Sequence, residues 1–263
     1  MATTLVIGNK NYSSWSLRPW LLLRHFGVPF DEVRLPLDTP EFHEKVWQWS
    51  PTGRVPALRD GELSVWDSLA IAEYLYETYP AVWPKDAKAR AFARCAAAEM
   101  HSGFSTLRNT CGMSCGHRVK LHQVTPALLL DIDRLSELFE QGIRHFGGPF
   151  LAGAEFTAVD AFFAPVAFRI QSYGLQLSEK SMAYAQQLLQ LPATQQWYEA
   201  ALDESWREVS HAALYPFGHG LSYTRFDYGV PQLDTPRLGW DDTLTIRARI
   251  TNSGARDGEE VVQ

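Results

Sequence analysis

A chain of 263 residues with 46% hydrophobic content is long enough to bury one large or two ordinary cores. Its net charge of −6, with no basic block, argues against a nucleic-acid partner, because phosphate binding needs clustered Lys and Arg. No apolar run approaches membrane-spanning length, and "MATTLVIG" has no basic segment ahead of a long apolar one, so the sequence predicts a cytoplasmic protein with no membrane partner.

Along the chain, "TLVIG" reads as a strand, Leu17 to Phe26 as a helix and "FDEVRLPL" as an alternating strand. A looser "EFHEKVWQWSPTGR" leads into two short strands, "VPALRD" and "LSVW", around the turn "DGE"; the helix "SLAIAEYLYETYP" then stops at Pro80. This order predicts an α/β thioredoxin-like N-terminal domain over residues 1–80. From Lys85 to about Trp206 strand signals vanish. "AKARAFARCAAAEMHSGFSTLR", "PALLLDIDRLSELFEQGIRHF", "AVDAFFAPVAFRIQSYG" and "LPATQQWYEAALDESW" carry helical apolar spacing, which predicts an all-α C-terminal domain over 85–211. Beyond Ala212 the composition turns Gly and aromatic rich. "LTIRARITNSGARDGEEVVQ" alternates like paired strands around an Asn-Ser-Gly turn, giving a short β tail over 212–263.

Cys95, Cys111 and Cys115 form no disulfide framework and read as small buried residues. The eight histidines show no metal-ligand spacing, so no metal is expected. The residues that suggest chemistry are the serines of "NKNYSSWSLRPW". Ser16 is expected to cap the first helix, with Pro19 in its first turn. Ser13 and Ser14 then fall in the loop before it. They are either merely polar or part of an anion site at the helix N-terminus, where amide N–H groups and the macrodipole favour negative charge.

The stretches "NYSSWSLRPWLLLRHFGVPFDEVRL", "SPTGRVPAL" and "VWDSLAIAEYL" together resemble the N-terminal domain of a cytosolic glutathione S-transferase. The resemblance is to the zeta-like, serine-type bacterial members and continues to about residue 208. It includes "FTAVDAFFAPV", similar to the family's buried capping box, Thr157 to Asp160. It implies glutathione as co-substrate, a small electrophile as second substrate and a homodimer. Ser13 would donate to the glutathione sulfur, with Ser14 and Ser16 as the other catalytic candidates. A cis Val55–Pro56 bond would leave the Val55 backbone to pair with the cysteinyl part of glutathione. Ser68 would hold the γ-glutamyl carboxylate and Asp67 face its amino group. Serine rather than cysteine in the first loop favours thiolate addition or isomerisation over thiol transfer. Met100, His101, Phe104 and Arg108 recur at helical spacing and are expected to wall the electrophile pocket, with Met100 and Phe104 individually more at home in a core. Zeta enzymes that isomerise maleylacetoacetate carry an arginine where this chain has Ser172, with Arg169 one turn earlier. A non-catalytic glutathione-fold binding protein is the rival reading. The segments "LYPFGHGLSYTRFDY" and "LTIRARITNSGARDGEEVVQ" resemble the fibronectin-type-III-like domain of family 3 glycoside hydrolases. An incomplete sandwich of that type is expected to be poorly ordered or loosely docked over Leu214–Gln263.

Overall fold

The computed structural model describes residues 3–204, 226–235, 243 and 245–254. The chain divides into two units, Met1–Glu208 and Val209–Gln263. In the first unit, strands β1 (Thr4–Ile7), β2 (Asp31–Arg34), β3 (Ala57–Asp60) and β4 (Leu63–Trp66) form one sheet in the order β2-β1-β3-β4. β2 runs parallel to β1, and β3 and β4 are antiparallel to their neighbours. Side chains alternate across a sheet, and that alternation sorts the core here. Leu5, Ile7 and Leu58 pack under helices α1 (Ser14–His25) and α3 (Ser68–Thr78). Val6 and Ala57 face Phe42 and Val46, supplied by the short helix α2 (Pro40–Lys45) and the 3-10 turn after it. The segment expected to be loose therefore caps the second face of the sheet.

α1 begins at Ser14 rather than after Ser16, which overturns the expected cap. Ser13 holds the capping position without a side-chain bond to the helix backbone, and Pro19 lies inside the helix. The reason is that the Ser16 hydroxyl is committed to the strand end, where it accepts from Gly8 N at 3.1 Å.

The helical layer contains α4 (Ala87–Ser102), α5 (Ser105–Thr110), α6 (Pro126–Phe146), α7 (Ala158–Tyr173), α8 (Glu179–Gln190) and α9 (Pro192–Glu204). The first long helical pattern is broken in two. Gly103 sits where an added Cβ would meet Glu99 O at 2.8 Å, and Phe104 follows in the left-handed region with φ +53. α7 is buried on nearly all sides and packs on α1, α4 and α8. Its buried Asp160, Arg169 and Ser172 are each hydrogen-bonded inside the protein. Asp160 accepts from Leu151 N, Thr157 N, Thr157 Oγ1 and Tyr184 Oη at 2.9–3.3 Å. Among the described residues no helix is long and apolar enough to cross a membrane.

In the second unit, β5 (Phe226–Tyr228) pairs antiparallel with β8 (Ile250–Asn252), and β6 (Gln232–Leu233) with β7 (Ile246–Arg247). The single strand expected over "LTIRARIT" is thus split, with a different partner for each half. The "FGHGLSY" segment of the tail and the residues after Gly254 lie outside the described residues.

Two outcomes follow. Asp160→Ala leaves four buried donors without their acceptor, each costing about 1–3 kcal/mol, so urea unfolding should show a loss of at least about 4 kcal/mol. Burial raises the Asp160 carboxyl to about 6 from 3.8, against the hydrogen bonds it accepts. Its folded pKa is the higher one, so this contribution is full below pH 3.8 and lost as pH rises through about 6. The stability difference between wild type and Asp160→Asn should decline over that window. Second, a chain ending at His211 retains the whole first unit and should unfold at the midpoint of the full chain in thermal denaturation.

Candidate active site

The loop from β1 to α1 is held by groups far away in sequence. Lys10 O accepts from Trp197 Nε1 at 2.9 Å, and Asn11 Oδ1 accepts from the backbone of Cys115 and Gly116 at 2.8 and 3.1 Å. Asn9 Oδ1 accepts from Leu37 N at 2.7 Å, and Lys10 Nζ pairs with Glu32 at 2.7 Å. The first turn of α1 is thereby fixed against both the sheet and the helical layer. Ser13 is nearly buried and its hydroxyl donates to Ser16 Oγ at 2.7 Å; Ser16 is fully buried, and Ser14, the first residue of the helix, is half-buried.

Beside this turn lies a cavity of about 550 Å³ lined by Trp15, Thr52, Arg54, Val55, Pro56, Trp66, Asp67, Ser68 and Arg108. Five sequence-predicted residues meet in it: Val55, Pro56, Asp67, Ser68 and Arg108. The Val55–Pro56 bond is cis. Asp67 has φ +75, a conformation costing about 1–3 kcal/mol for a residue with a side chain. It is held there by capping α3, accepting from Leu69 N at 2.7 Å and Ala70 N at 3.4 Å.

The electrostatics centre on Arg18, which sequence reasoning passed over. It is 2% exposed and lies between the Trp15 ring at 4.3 Å and the Phe162 ring at 4.6 Å. Its Nη1 donates to Ser68 Oγ at 3.3 Å, while its Nε is buried without a partner. Among the described residues no carboxylate lies within ion-pair distance of it. Burial, then Arg108 and Arg169, pull its pKa down to about 9, with Asp67 opposing. The signal available in the sequence was one charged residue inside the apolar run "WSLRPWLLL".

The four residues expected to wall a second pocket divide. Because the helix breaks at Gly103, they sit on two helices and the turn between them. Met100 and Phe104 belong to the core. Arg108 lines the cavity, its guanidinium 4.5 Å from Trp15 and bonded to His101 O at 3.0 Å. His101 packs edge-on to Trp15, with Nε2 3.3 Å from Asp67 Oδ2. Burial, with help from Arg18 and Arg108, holds its pKa below the usual value although Asp67 favours the cation. Arg169 and Ser172, the positions compared with the zeta arginine, point their polar groups at Cys111 O and Ser114 O and do not line the cavity. Trp15, Thr52, Arg54 and Trp66 also line it, though the sequence reading did not single them out. Among the described residues no group of three or more His, Cys, Asp or Glu could hold a metal ion.

Arg18→Met keeps the length of the side chain between the two rings and removes an unpaired buried charge. Unfolding free energy should be unchanged or higher by about 1–3 kcal/mol in urea titrations. A clear loss would mean that the stacking and the Ser68 bond outweigh the cost of burial.

Comparison with known proteins agrees with this geometry. Residues 12–78 match the family model "Glutathione S-transferase, N-terminal domain", and residues 123–200 match "Glutathione S-transferase, C-terminal domain". A zeta-class glutathione S-transferase of Euphorbia esula is 31% identical over 161 residues, covering 58% of this chain and 70% of that protein. A maleylacetoacetate isomerase of Rattus norvegicus is 27% identical over 174 residues, covering 64% and 78%. The crystal structure of a Burkholderia glutathione transferase homologue with bound glutathione superposes with a TM-score of 0.60 at 26% identity, covering 77% of this chain and all of that one. The C-terminal tail is similar to a different protein: a β-xylosidase of Formosa agariphila is 50% identical over 50 residues, 19% of this chain, which spans only 7% of that protein's length. The sheet and the helical layer are those of one family, and over its first unit the chain belongs to the glutathione S-transferase family.

Proposed function

We propose that the cavity binds glutathione and that the protein uses it as a thiolate nucleophile toward a small electrophile, as a glutathione transferase. The observation that carries this reading is the convergence on one cavity of Val55–Pro56 before β3, Asp67–Ser68 at the start of α3, and Trp15 in the first turn of α1. Val55 offers its backbone to the cysteinyl unit as an added strand would. The α3 N-terminus and Ser68 receive the γ-glutamyl carboxylate. Arg18 donates to Ser68 Oγ from behind, leaving the Ser68 hydroxyl proton for the ligand and supplying positive potential beneath it. Asp67 faces the ammonium group, and the exposed Arg54 at the cavity wall suits the glycyl carboxylate.

A free thiol has a pKa of about 8.5, and each unit of lowering needs about 1.4 kcal/mol of preference for the thiolate. One aimed hydroxyl and the α1 N-terminus are sufficient in magnitude. We assign the donation to Ser13, with Ser14 next in order.

One observation favours a second reading for the other substrate. The cavity wall is cationic rather than purely apolar, with Arg108 at the surface and Arg18 behind Trp15. That suits an electrophile bearing a carboxylate, as in an isomerase of the maleylacetoacetate type. The homodimer rests on the resemblance and on Leu63 and Trp66, both exposed on β4. It belongs to the proposal.

Retention on immobilised glutathione, combined with turnover of neutral and carboxylated electrophiles, tests the assignment. Retention without turnover of any electrophile would favour a binding protein. Ser13→Ala should remove one charge-assisted bond of about 1.5–3 kcal/mol, lowering kcat roughly 10–100-fold with glutathione affinity nearly intact.

A further inference from the structure

Ser16 has no surface from which to touch a substrate, yet its hydroxyl is joined to Ser13 at 2.7 Å and to Gly8 N at 3.1 Å. Each hydroxyl carries one proton and two lone pairs. In this structure Ser13 spends its proton on Ser16, and Ser16 accepts twice, from Ser13 and from Gly8. A Ser13 hydroxyl so engaged cannot also donate to a sulfur. Rotating the two O–H bonds, with every heavy atom in place, reverses the direction. Gly8 N–H then donates to Ser16, Ser16 to Ser13, and Ser13 outward. In that state each hydroxyl donates once and accepts once, so the hydrogen bonding is more evenly satisfied than before. Successive donors polarise one another in a low-dielectric interior.

We infer that Ser16 is a positioning residue, and that with Gly8 N–H it forms a hydroxyl relay which turns Ser13 from a resting orientation into a polarised donor when a thiolate is bound. No proton crosses the relay: each stays on its own oxygen, and the thiol proton leaves to solvent. The strand end is built for this geometry. A Cβ at position 8 would meet the Leu37 side chain at 2.8 Å, and Leu37 is itself tied by its N–H to Asn9. The Gly8 N–H is thus held beneath Ser16. The relay rests on the proposed role of Ser13.

The test is the pKa of the glutathione thiol in the complex, read from thiolate ultraviolet absorbance, in wild type, Ser13→Ala, Ser16→Ala and the double variant. Ser16→Ala should raise that pKa by roughly half a unit, about a threefold loss of thiolate near neutrality, with KM for glutathione unchanged. Ser16→Cys, of similar size and a weaker donor, should fall between, and it carries the measurement if the alanine variant does not fold. In the double variant the loss of Ser16 should add nothing, because it acts only through Ser13. A thiol pKa in Ser16→Ala at or below the wild-type value overturns the relay, since Ser16 would then merely compete for the Ser13 proton. A full additional shift in the double variant overturns it as well. If Ser13→Ala itself leaves the pKa unchanged, the assignment of Ser13 fails, and the relay with it.

Discussion

The bond from Trp197 Nε1 to Lys10 O, with the two that Asn11 Oδ1 accepts, closes contacts across more than a hundred residues of chain. These bonds fix the passage from β1 into α1, Gly8 to Ser13, before any ligand arrives. A helix N-terminus left to fray would spread its amide groups over many directions. Here the helical domain holds it, so the orientation of the serine turn depends on α9 and on the segment after α5 as much as on the sheet. The two layers of the first unit share a site because they share these bonds.

The second organising feature is charge without a countercharge. Proteins usually bury arginine against carboxylate. Arg18 is instead buried among rings and a serine, Arg108 is bonded to main-chain carbonyls, and Arg169 is turned toward Cys111 O. Their mutual repulsion contributes to lowering Arg18 to about 9 and Arg169 to about 10, after burial itself. A tripeptide with two carboxylates, such as glutathione, would relieve that repulsion. The folded protein carries this electrostatic cost, and the ligand proposed for the cavity would offset it.

Much of this was legible in the sequence, for local reasons. The alternation of Leu5, Val6 and Ile7 gives the two faces of β1, and the apolar face of α6 is plain from spacing. The residues Val55, Pro56, Asp67 and Ser68 form compact motifs, and motifs travel intact from sequence to cavity. What could not be read was set by partners remote in sequence. The start of α1 moved because Ser16 is drawn to Gly8. The break before α5 came from a close approach to Glu99 O, while apolar spacing ran on across it. Arg18 was hidden because helical periodicity assigns a residue to a face without saying what it meets there. Its partners, Ser68 and Phe162, lie far along the chain.

The positive φ of Asp67 bears on how freely this site can drift in evolution. Thr52 and Arg54, exposed on the cavity rim, can be exchanged with little backbone consequence, and substrate preference can diverge through them. Position 67 is different. A glycine would accept its backbone but lose the cap, whereas most other side chains would meet the strain without the two hydrogen bonds that offset it. Asparagine keeps an acceptor at a similar reach. The junction between β4 and α3 therefore acts as a ratchet on sequence change, conserving the geometry of one end of the cavity while the opposite wall is free to diversify.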